Sequence, residues 1–172
     1  MQIRVGTIND IKGLAKVHYE SWITTYTGMF SEETFKKRTY ERVLENWRPR
    51  LENLDPNYRC FLAETDEGEI FAFAECGKER TGEFNIDSEL YTIYMLELFH
   101  RKGIGKLLFQ KVIEFLNEQG FHSLLVWVLK DNHSARKFYE KLGGVQIAEQ
   151  SLGDSGILEV AYAWSNIQEL NI

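Results

Sequence analysis

The segment His100 to Lys106, HRKGIGK, places two glycines one residue apart among side chains that are mostly cationic. It lies between an apolar stretch typical of a strand and an amphipathic stretch typical of a helix. The first turn of a helix has unpaired N–H groups and a partial positive charge. Because Gly103 and Gly105 lack a Cβ atom, an anion can approach these N–H groups closely. The segment therefore predicts a phosphate-binding turn.

Two common phosphate loops do not fit this segment. A Walker-type loop requires G-x-x-x-x-G-K-[ST], but Leu107 follows Lys106, and no glycine stands five positions before Gly105. A dinucleotide-binding turn requires a third small residue where Leu108 stands, and the strand before it is not the first of the fold. The pattern that remains is [QR]-x-x-G-x-[GA], leading from a central strand into a helix, with His100 in place of the usual Gln or Arg.

A second segment with chemical potential is DNHSARKFYEK, which starts at Asp131. Asn132 is a residue type that caps helices, and a short helix is predicted from Ser134 to Leu142. Tyr139 within that helix has two interpretations. Its ring packs in the core with the hydroxyl at the surface, as is common for tyrosine, or the hydroxyl acts as a general acid. His18 and His122 show no partner pattern and are predicted to be structural or exposed.

The elements that must position these residues follow from the apolar pattern. A strand is predicted at Ile3 to Thr7, then a helix that Asn9 caps and that ends near Gly28. A helical region from Ser31 to about Leu54 follows, with Pro49 breaking or bending it. The segments RCFLAET and EIFAFAECG, joined by DEG, predict a β-hairpin, and a last hairpin is predicted from Val145–Leu152 and Ile157–Trp164.

A strand from Glu89 to Leu96 precedes the glycine segment, and the amphipathic helix after it stops at Gly120. The run SLLVWVL is then a nearly continuous apolar strand, as expected where both faces of a sheet are covered. A strand, a helix and a strand at this spacing form a βαβ unit, so the two strands are predicted to be parallel. The sequence thus predicts a mixed α/β fold, with helices flanking the sheet.

The composition sets limits on function. The chain has 172 residues, 44% of them hydrophobic, and a formal net charge of −6. The length predicts one domain, residues 1–172. The net charge argues against general binding to nucleic acid or to an anionic membrane, and the short apolar runs and the N-terminal sequence predict a cytoplasmic protein. Cys60 and Cys76 show no metal-binding spacing, so we expect two buried, reduced thiols and no metal.

With its two motifs in this order around a βαβ unit, the sequence resembles the GNAT superfamily of acyl-CoA N-acyltransferases. The resemblance covers the whole chain in element order, and it is sharpest in LYTIYMLELFHRKGIGKLLFQ and DNHSARKFYEKLGG. It implies a mostly antiparallel central sheet with one parallel βαβ crossover. It also implies acetyl-CoA as the cosubstrate, whose acyl-pantetheine lies between the two parallel strands where they splay apart.

The resemblance further implies roles for individual residues. Asn132 would bond the pantetheine arm, Tyr139 would protonate the departing thiolate, and an exposed backbone N–H near Met95 would polarise the thioester carbonyl, with Tyr94 beside it. The pyrophosphate would be held by the backbone of the loop, whose residues are His100, Arg101, Lys102, Gly103, Ile104, Gly105 and Lys106. The departure at His100 affects only that side chain, since a backbone cradle does not depend on it.

The acceptor side is expected opposite the coenzyme. Glu89 matches a position from which some members of the superfamily draw the amine proton through water, and Glu75 is the alternative; either could instead be a strand-edge carboxylate in solvent. The residues expected to bind the acceptor are Trp22, Tyr26, Glu75, Glu89 and Trp127. Aromatic faces with carboxylates attract a cationic amine, so the acceptor is expected to be a small or peptide-borne cationic amine, with Tyr26 and Glu89 nearer to it than Trp22.

The predicted function is transfer of an acetyl group from acetyl-CoA to a primary amine by direct attack, without a covalent enzyme intermediate. A non-catalytic acyl-CoA-binding or regulatory module with the same fold is the alternative, because a fold alone does not establish chemistry. The presence of Tyr139 favours the enzyme. A polyamine, an amino sugar, an amino acid and a protein N-terminus or lysine remain open as acceptors, and a homodimer remains an open alternative to a monomer.

Overall fold

The structure is a computed structural model that describes residues 1–52 and 55–170. Its strands are β1 Gln2–Val5, β2 Arg59–Glu64, β3 Ile70–Lys78, β4 Ser88–Met95, β5 Leu124–Leu129, β6 Val145–Ser151 and β7 Leu158–Trp164. Its helices are α1 Ile11–Tyr26, α2 Glu32–Lys37, α3 Tyr40–Glu52, α4 Ile104–Glu118 and α5 His133–Lys141. Short 3-10 turns precede α1 and follow β4 and β6.

The strands form one seven-stranded sheet in the order β1-β2-β3-β4-β5-β7-β6. Every neighbouring pair is antiparallel except β4 and β5, which are parallel. This arrangement confirms the predicted fold class and the predicted βαβ unit, whose crossover helix is α4. The two hairpins are also where the sequence placed them.

The parallel pair is short. Ser88 pairs with Leu124 and Glu89 with Leu125, and no later residues of the two strands are paired. Beyond that point β4 stays with β3, and β5 stays with β7. The register between β3 and β4 shifts by one residue at Tyr91, because Thr92 pairs with Glu75 and Leu90 with Cys76. An extra residue of this kind bends its strand and increases its twist. The sheet therefore opens between β4 and β5 while each half remains hydrogen-bonded.

The helices lie on both faces of the sheet. On one face α4 and α5 pack against the sheet around Leu108, Phe109, Val112 and Leu116, all of which are buried. On the other face α1 and α3 pack around a second core, whose buried members are Ile11, Leu14, Ala15, Val17, Val43, Trp47, Cys60, Leu62, Ile70 and Phe73. The helical spacing of the apolar residues predicted the buried face of α1, whereas Leu107 in the apolar stripe predicted for α4 is 41% exposed.

The predicted helical region from Ser31 to Leu54 is wrong in two respects. It consists of two helices that separate at Arg38, where the backbone becomes extended, and the Thr39 hydroxyl accepts a hydrogen bond from Arg42 N–H (3.3 Å) to begin α3. Helix α3 then continues through Pro49 to Glu52, since a proline near the end of a helix removes few backbone bonds. The predicted end at Leu54 lies outside the described residues.

The start of α1 also differs from the prediction. Asn9 does not cap the helix. Instead Thr7 donates from its N–H and its hydroxyl to the Asp10 carboxylate (2.8 Å each), and Arg4 pairs with the same carboxylate. Asp10 stands at the N-cap position of α1, but its carboxylate reaches back to Thr7 and makes no capping bond to the helix.

Three further observations concern the predictions from composition. Over the described ranges, no helix has both the length and the apolar character to cross a bilayer. In the same part of the chain, no group of three or more His, Cys, Asp or Glu side chains is arranged to hold a metal ion. Cys60 and Cys76 are unpaired and buried, and burial raises the pKa of each thiol above its ordinary value.

Candidate active site

The opening between β4 and β5 is the mouth of a cavity of about 1200 Å³. It is lined by the diverging halves of the two strands, the C-terminal end of α1, the loop from β4 to α4, and the first turns of α4 and α5. All the charged side chains in the lining come from α4, α5, β7 and the loops that follow β4 and β5: Glu97, Arg101, Lys106, Asp131, Lys137, Lys141 and Glu159. The lining residues from α1 and from the strands β4 and β5 are uncharged.

The loop from β4 to α4 forms the turn that the glycine pattern predicted. Arg101 has φ 61° and Gly103 has φ 81°, so two of its residues adopt the left-handed conformation. The first helical hydrogen bond of α4 runs from Leu107 N–H to Gly103 O (3.2 Å), which leaves the N–H groups before it without a helical acceptor. A Cβ atom at Gly103 would meet nothing within 4 Å, so the backbone there is open on the cavity side.

Gly105 has closer neighbours than Gly103. A Cβ atom there would lie 3.4 Å from Phe138 Cε2 and 3.8 Å from Met95 Cε, which are ordinary contact distances. Alanine would therefore fit at this position, whereas a longer side chain would extend among the first turn of α4, α5 and the end of β4.

The cations near this turn belong to two elements. Arg101 and Lys106 come from the loop and α4, while Lys137 and Lys141 come from one face of α5. The α5 pair was not predicted from the sequence, although the i, i+4 spacing of the two lysines places them on one face of the helix. Lys102, in contrast, lies outside the lining with its Nζ atom 5.2 Å from the centroid of Phe99. The helix N-terminus and these cations make this end of the cavity suitable for phosphate groups.

His100 and Met95 contact each other at the end of β4. His100 Nε2 lies 2.9 Å from Met95 O, and because a carbonyl only accepts, this nitrogen carries the proton. On the other side, Leu96 N–H donates to Phe71 O of β3 (2.9 Å). Alternate N–H groups of a strand point to opposite sides, so the Met95 N–H points away from β3 and into the opening. The structure thus places a backbone donor where the sequence comparison expected one.

Tyr139 and Asn132 both line the cavity. Tyr139 is buried and packs beside Phe138, Tyr162 and Trp164, and burial raises the pKa of its hydroxyl above the ordinary value. The hydroxyl is therefore protonated throughout the neutral range. Asn132 is the N-cap of α5, because its Oδ1 accepts from Ala135 N–H (3.1 Å). The side-chain NH₂ group remains available as a donor.

Two of the predicted acceptor residues lie at the cavity. Tyr26 and Trp127 line it, as does Tyr94, and the hydroxyls of Tyr26 and Tyr94 are 3.2 Å apart. Trp22 does not reach the lining; it is 7% exposed and packs against Tyr26, Phe30 and Phe35. The prediction that Tyr26 lies nearer than Trp22 to the acceptor end is consistent with this placement.

The two predicted carboxylates are not in the cavity lining. Glu75 is 1% exposed and accepts from Arg50 (2.9 Å), Tyr58 (2.6 Å) and Thr92 (2.9 Å). Glu89 is equally buried, and both its oxygens accept from Arg80. Glu89 sits where β4 and β5 are still paired, below the point at which the strands separate. Each carboxylate is therefore a buried group paired with a partly exposed arginine, and neither lines the cavity.

We expect Glu89→Gln to affect stability more than turnover. The substitution removes the charge that the Arg80 fork bonds, and hydrogen bonds to a charged group contribute about 1.5–3 kcal/mol. Because the Arg80 side chain is 62% exposed, we expect a loss near the lower end, about 1.5 kcal/mol, with turnover close to the unchanged chain. Urea unfolding and steady-state kinetics check both. Glu149→Gln, in a more exposed pair with Lys130, is the control and should change neither. A large loss of turnover without a loss of stability would restore Glu89 as the base.

The sheet that opens at its single parallel pair, above a glycine turn and a helix N-terminus, defines the class of acetyl-CoA-dependent N-acetyltransferases. The model of the acetyltransferase (GNAT) family matches residues 17–144, and the chain belongs to that family. An N-acetyltransferase of Bacillus subtilis described as uncharacterised, YuaI, is 34% identical over 98% of this chain and 95% of its own length. The spermidine N(1)-acetyltransferase of Thermoplasma acidophilum is 27% identical over 94% of this chain and 98% of its own.

The fold agrees with solved structures. The PaiA N-acetyltransferase of Thermoplasma acidophilum, solved in complex with coenzyme A, superimposes with a TM-score of 0.75, covering 95% of this chain and 100% of that one at 22% identity. The ribosomal-protein-alanine N-acetyltransferase of Brucella melitensis gives a TM-score of 0.73 over 96% and 99% of the two chains at the same identity. The predictions of the superfamily, of the fold and of an acetyl-CoA-dependent acetyltransferase are thus confirmed.

Proposed function

We propose that this chain transfers the acetyl group of acetyl-CoA to a primary amine by direct attack within a ternary complex. The observation that carries the proposal is the opening between β4 and β5, which brings the open α4 turn, the Met95 N–H and the Tyr139 hydroxyl to one cavity. The structures of PaiA with coenzyme A and of the Salmonella protein YncA with acetyl-CoA share this fold and support a coenzyme as the ligand.

Each part of the cavity has a role in this proposal. The N–H groups at the start of α4 hold the pyrophosphate, and the nearby lysines neutralise phosphate charge. Asn132 bonds the pantetheine arm. The Met95 N–H bonds the thioester carbonyl oxygen, where negative charge develops during attack. Tyr139 gives its proton to the sulfur as the C–S bond breaks.

Direct attack is supported by the state of the cysteines. A covalent acetyl-enzyme would need an exposed thiolate or a comparable nucleophile. Cys60 and Cys76 are buried, lie outside the cavity lining and have raised thiol pKa values. Neither can act as the nucleophile in this state, so the amine is proposed to attack the thioester itself.

The acceptor is proposed to enter beside Tyr26, Tyr94 and Trp127. Glu75 and Glu89 are held in ion pairs outside the lining, so neither of the two predicted bases is proposed to take the amine proton. We therefore propose that the amine reacts as the free base already present in solution. For an alkylamine with a pKa of about 10, that fraction rises about tenfold per pH unit through the neutral range.

The experiment is a panel of primary amines incubated with acetyl-CoA and the purified chain, followed by mass spectrometry of the products and by thiol release. Spermidine belongs in the panel because one relative is named for it. For the best acceptor, kcat/KM should rise about tenfold per pH unit from pH 7 to pH 9, parallel to the free amine. A plateau in that range would show that a group on the protein takes the proton. Acetylation of no amine in the panel would contradict the proposed reaction.

A further inference from the structure

Four buried polar atoms without a hydrogen-bond partner lie together beneath the acceptor end of the cavity. Within residues 1–52 and 55–170, the buried side-chain atoms without a partner are Asn117 Oδ1, His18 Nδ1, Ser21 Oγ, Arg38 Nε and Trp47 Nε1. All but the first belong to one group, which we call the donor cluster. Ser21 follows His18 by one turn of α1, and the rings of His18 and Trp47 are 5.9 Å apart. Such a concentration is unusual, because buried polar groups are nearly always paired.

The unpartnered atoms of the donor cluster are mostly hydrogen-bond donors. Arg38 Nη2 lies 2.7 Å from His18 Nε2, and a guanidinium only donates, so Nε2 must accept and Nδ1 must carry the proton. Arg38 Nε and Trp47 Nε1 are also donors only. Three unpartnered N–H groups thus occur with one hydroxyl, that of Ser21, which can accept as well as donate. A bound group that satisfies them has to bring acceptor atoms.

The charge of the donor cluster also favours a bound group with acceptor atoms. Among the described residues, no carboxylate forms an ion pair with Arg38, although its side chain is half-buried and lies over the ring of Trp22 (4.5 Å). The other nearby cation, Arg50, is already paired with Glu75. Burial and these two arginines lower the pKa of His18 to about 3, so the imidazole is neutral at physiological pH. The cluster therefore has an unbalanced positive charge.

The donor cluster adjoins the acceptor end of the cavity. The His18 ring is stacked on Tyr94 with centroids 5.1 Å apart, and Trp22 packs against Tyr26 at 5.3 Å. Tyr26 and Tyr94, which share a hydroxyl contact, both line the cavity. None of the four residues of the donor cluster lines the cavity, and Tyr94, on which His18 stacks, lies between the cluster and the cavity. If the amine acceptor carries a second functional group, that group would lie toward the donor cluster.

We propose that the donor cluster, with Arg38 as its charged member, recognises a carboxylate on the amine acceptor, so that the substrate is an amino acid or a related amino-carboxylate. This inference rests on the proposed acetyl transfer and specifies its acceptor. A carboxylate supplies acceptor atoms and a negative charge, which match three N–H donors, a hydroxyl and an unpaired guanidinium. A polyamine supplies only donors and positive charge, so it would leave the cluster unsatisfied and be repelled by Arg38.

An amino-carboxylate differs from the cationic amine that the sequence predicted as the acceptor. That expectation depended on Glu75 and Glu89, whose charges are balanced by Arg50 and Arg80 outside the cavity lining. Once those two ion pairs are counted, the charge that remains unpaired in the donor cluster is that of Arg38. The attacking amine and the recognised carboxylate are then parts of the same molecule. Tyr26 and Tyr94 lie between the donor cluster, which binds the carboxylate, and the part of the cavity where the amine reacts.

The test uses amine pairs that differ only in the acid group. Phenylalanine and phenylalaninamide form one pair, and 4-aminobutanoate and butylamine form another; spermidine is included as the polyamine. With acetyl-CoA saturating, kcat/KM is measured by thiol release for each amine at a pH that gives equal free-base fractions. We expect the carboxylate member of at least one pair to be preferred by roughly tenfold to hundredfold, the effect of hydrogen bonds to a charged group. Preference for the amide, the alkylamine or spermidine would overturn the inference.

Variants assign that preference to a residue. Arg38→Gln should reduce the acid-to-neutral selectivity ratio to near one, and Arg38→Lys should restore part of it, since a lysine keeps the charge but loses the fork. Arg42→Gln, an exposed arginine four residues further on, is the matched control and should leave the ratio unchanged. Equal ratios for Arg38→Gln and the unchanged chain would overturn the inference.

A binding measurement separates this inference from the proposed reaction. The chain is first saturated with coenzyme A and is then titrated with N-acetylphenylalanine or with N-acetylphenylalaninamide. This measurement needs no turnover. Tighter binding of the acid, lost in Arg38→Gln, supports the carboxylate site even if no acetylation is found. Equal binding of the two, or binding of neither, counts against it. Acetylation of neutral amines without an acid preference would leave the reaction standing and refute the inference.

Discussion

Replacement of Gly105 by glutamate is expected to weaken acetyl-CoA binding by roughly 100-fold or more while the chain still folds. The new side chain would start 3.4 Å from Phe138 and extend beside the first turn of α4, where phosphate is proposed to bind. A carboxylate there opposes the phosphate charge, and like charges in contact cost several kcal/mol, with each 1.4 kcal/mol corresponding to tenfold in affinity. Calorimetric titration measures the affinity, and circular dichroism with thermal unfolding monitors the fold.

Two variants at the same position separate the causes. Gly105→Ala adds a Cβ atom at an ordinary contact distance from Phe138, so it should bind acetyl-CoA nearly as well as the unchanged chain. Gly105→Gln has the size of glutamate without the charge, so its affinity should fall between the other two. If glutamate and glutamine weaken binding equally, bulk rather than charge is responsible. Unchanged affinity in Gly105→Glu would refute the assignment of the turn to the coenzyme.

Tyr139→Phe should lower kcat by about 100-fold and leave the KM for acetyl-CoA nearly unchanged. The substitution keeps the ring packing against Phe138 and Trp164 and removes only the hydroxyl. General acid catalysis contributes about 10²–10⁴-fold, and the thiolate is a fair leaving group, so we expect the low end. Since burial raises the pKa of Tyr139, the unchanged enzyme should not lose activity through this group until the pH exceeds the ordinary tyrosine pKa of about 10.

Tyr162→Phe is the matched control. Tyr162 is also buried and its ring lies 6.1 Å from that of Tyr139, but its hydroxyl donates to Glu140 (2.6 Å), accepts from Arg136 (3.1 Å) and does not line the cavity. Losing it should reduce the free energy of unfolding by about 1 kcal/mol with kcat nearly unchanged. Tyr139→Phe should show the opposite result, a lower kcat with little change in stability. Wild-type turnover in Tyr139→Phe would return this residue to a purely structural role.

The part of the site that the sequence predicted well is continuous in the chain. The turn around Gly103 depends on local backbone conformation and on the start of α4, so its residues and its place after a strand could be read directly. Asn132 as a helix cap and Tyr139 on the helix that it caps are local features of the same kind. The parallel pairing of β4 and β5 also followed, because a right-handed crossover through a helix leaves few alternatives.

The acceptor end was predicted less well because it depends on which side chains pair across the fold. Glu75 and Glu89 are carboxylates on strands that border the site, and nothing near them in the sequence reveals Arg50 or Arg80 as partners. An alternating strand pattern gives the face of a residue, but one extra residue at Tyr91 shifts that pattern and ends the pairing with β5. Carboxylates that were expected in an aromatic site are therefore buried ion pairs.

By itself the sequence determined the family, the parallel crossover and the glycine turn after β4, since these depend on local conformation and on hydrophobic periodicity. The tertiary structure alone decided which charges remain unpaired, because an ion pair forms between side chains that are distant in the chain and close only in the fold. Arg38 illustrates the difference. In the sequence it is one cation in the run KKRTYER, whereas in the fold it packs on Trp22 beside a neutral His18 and no described carboxylate pairs with it.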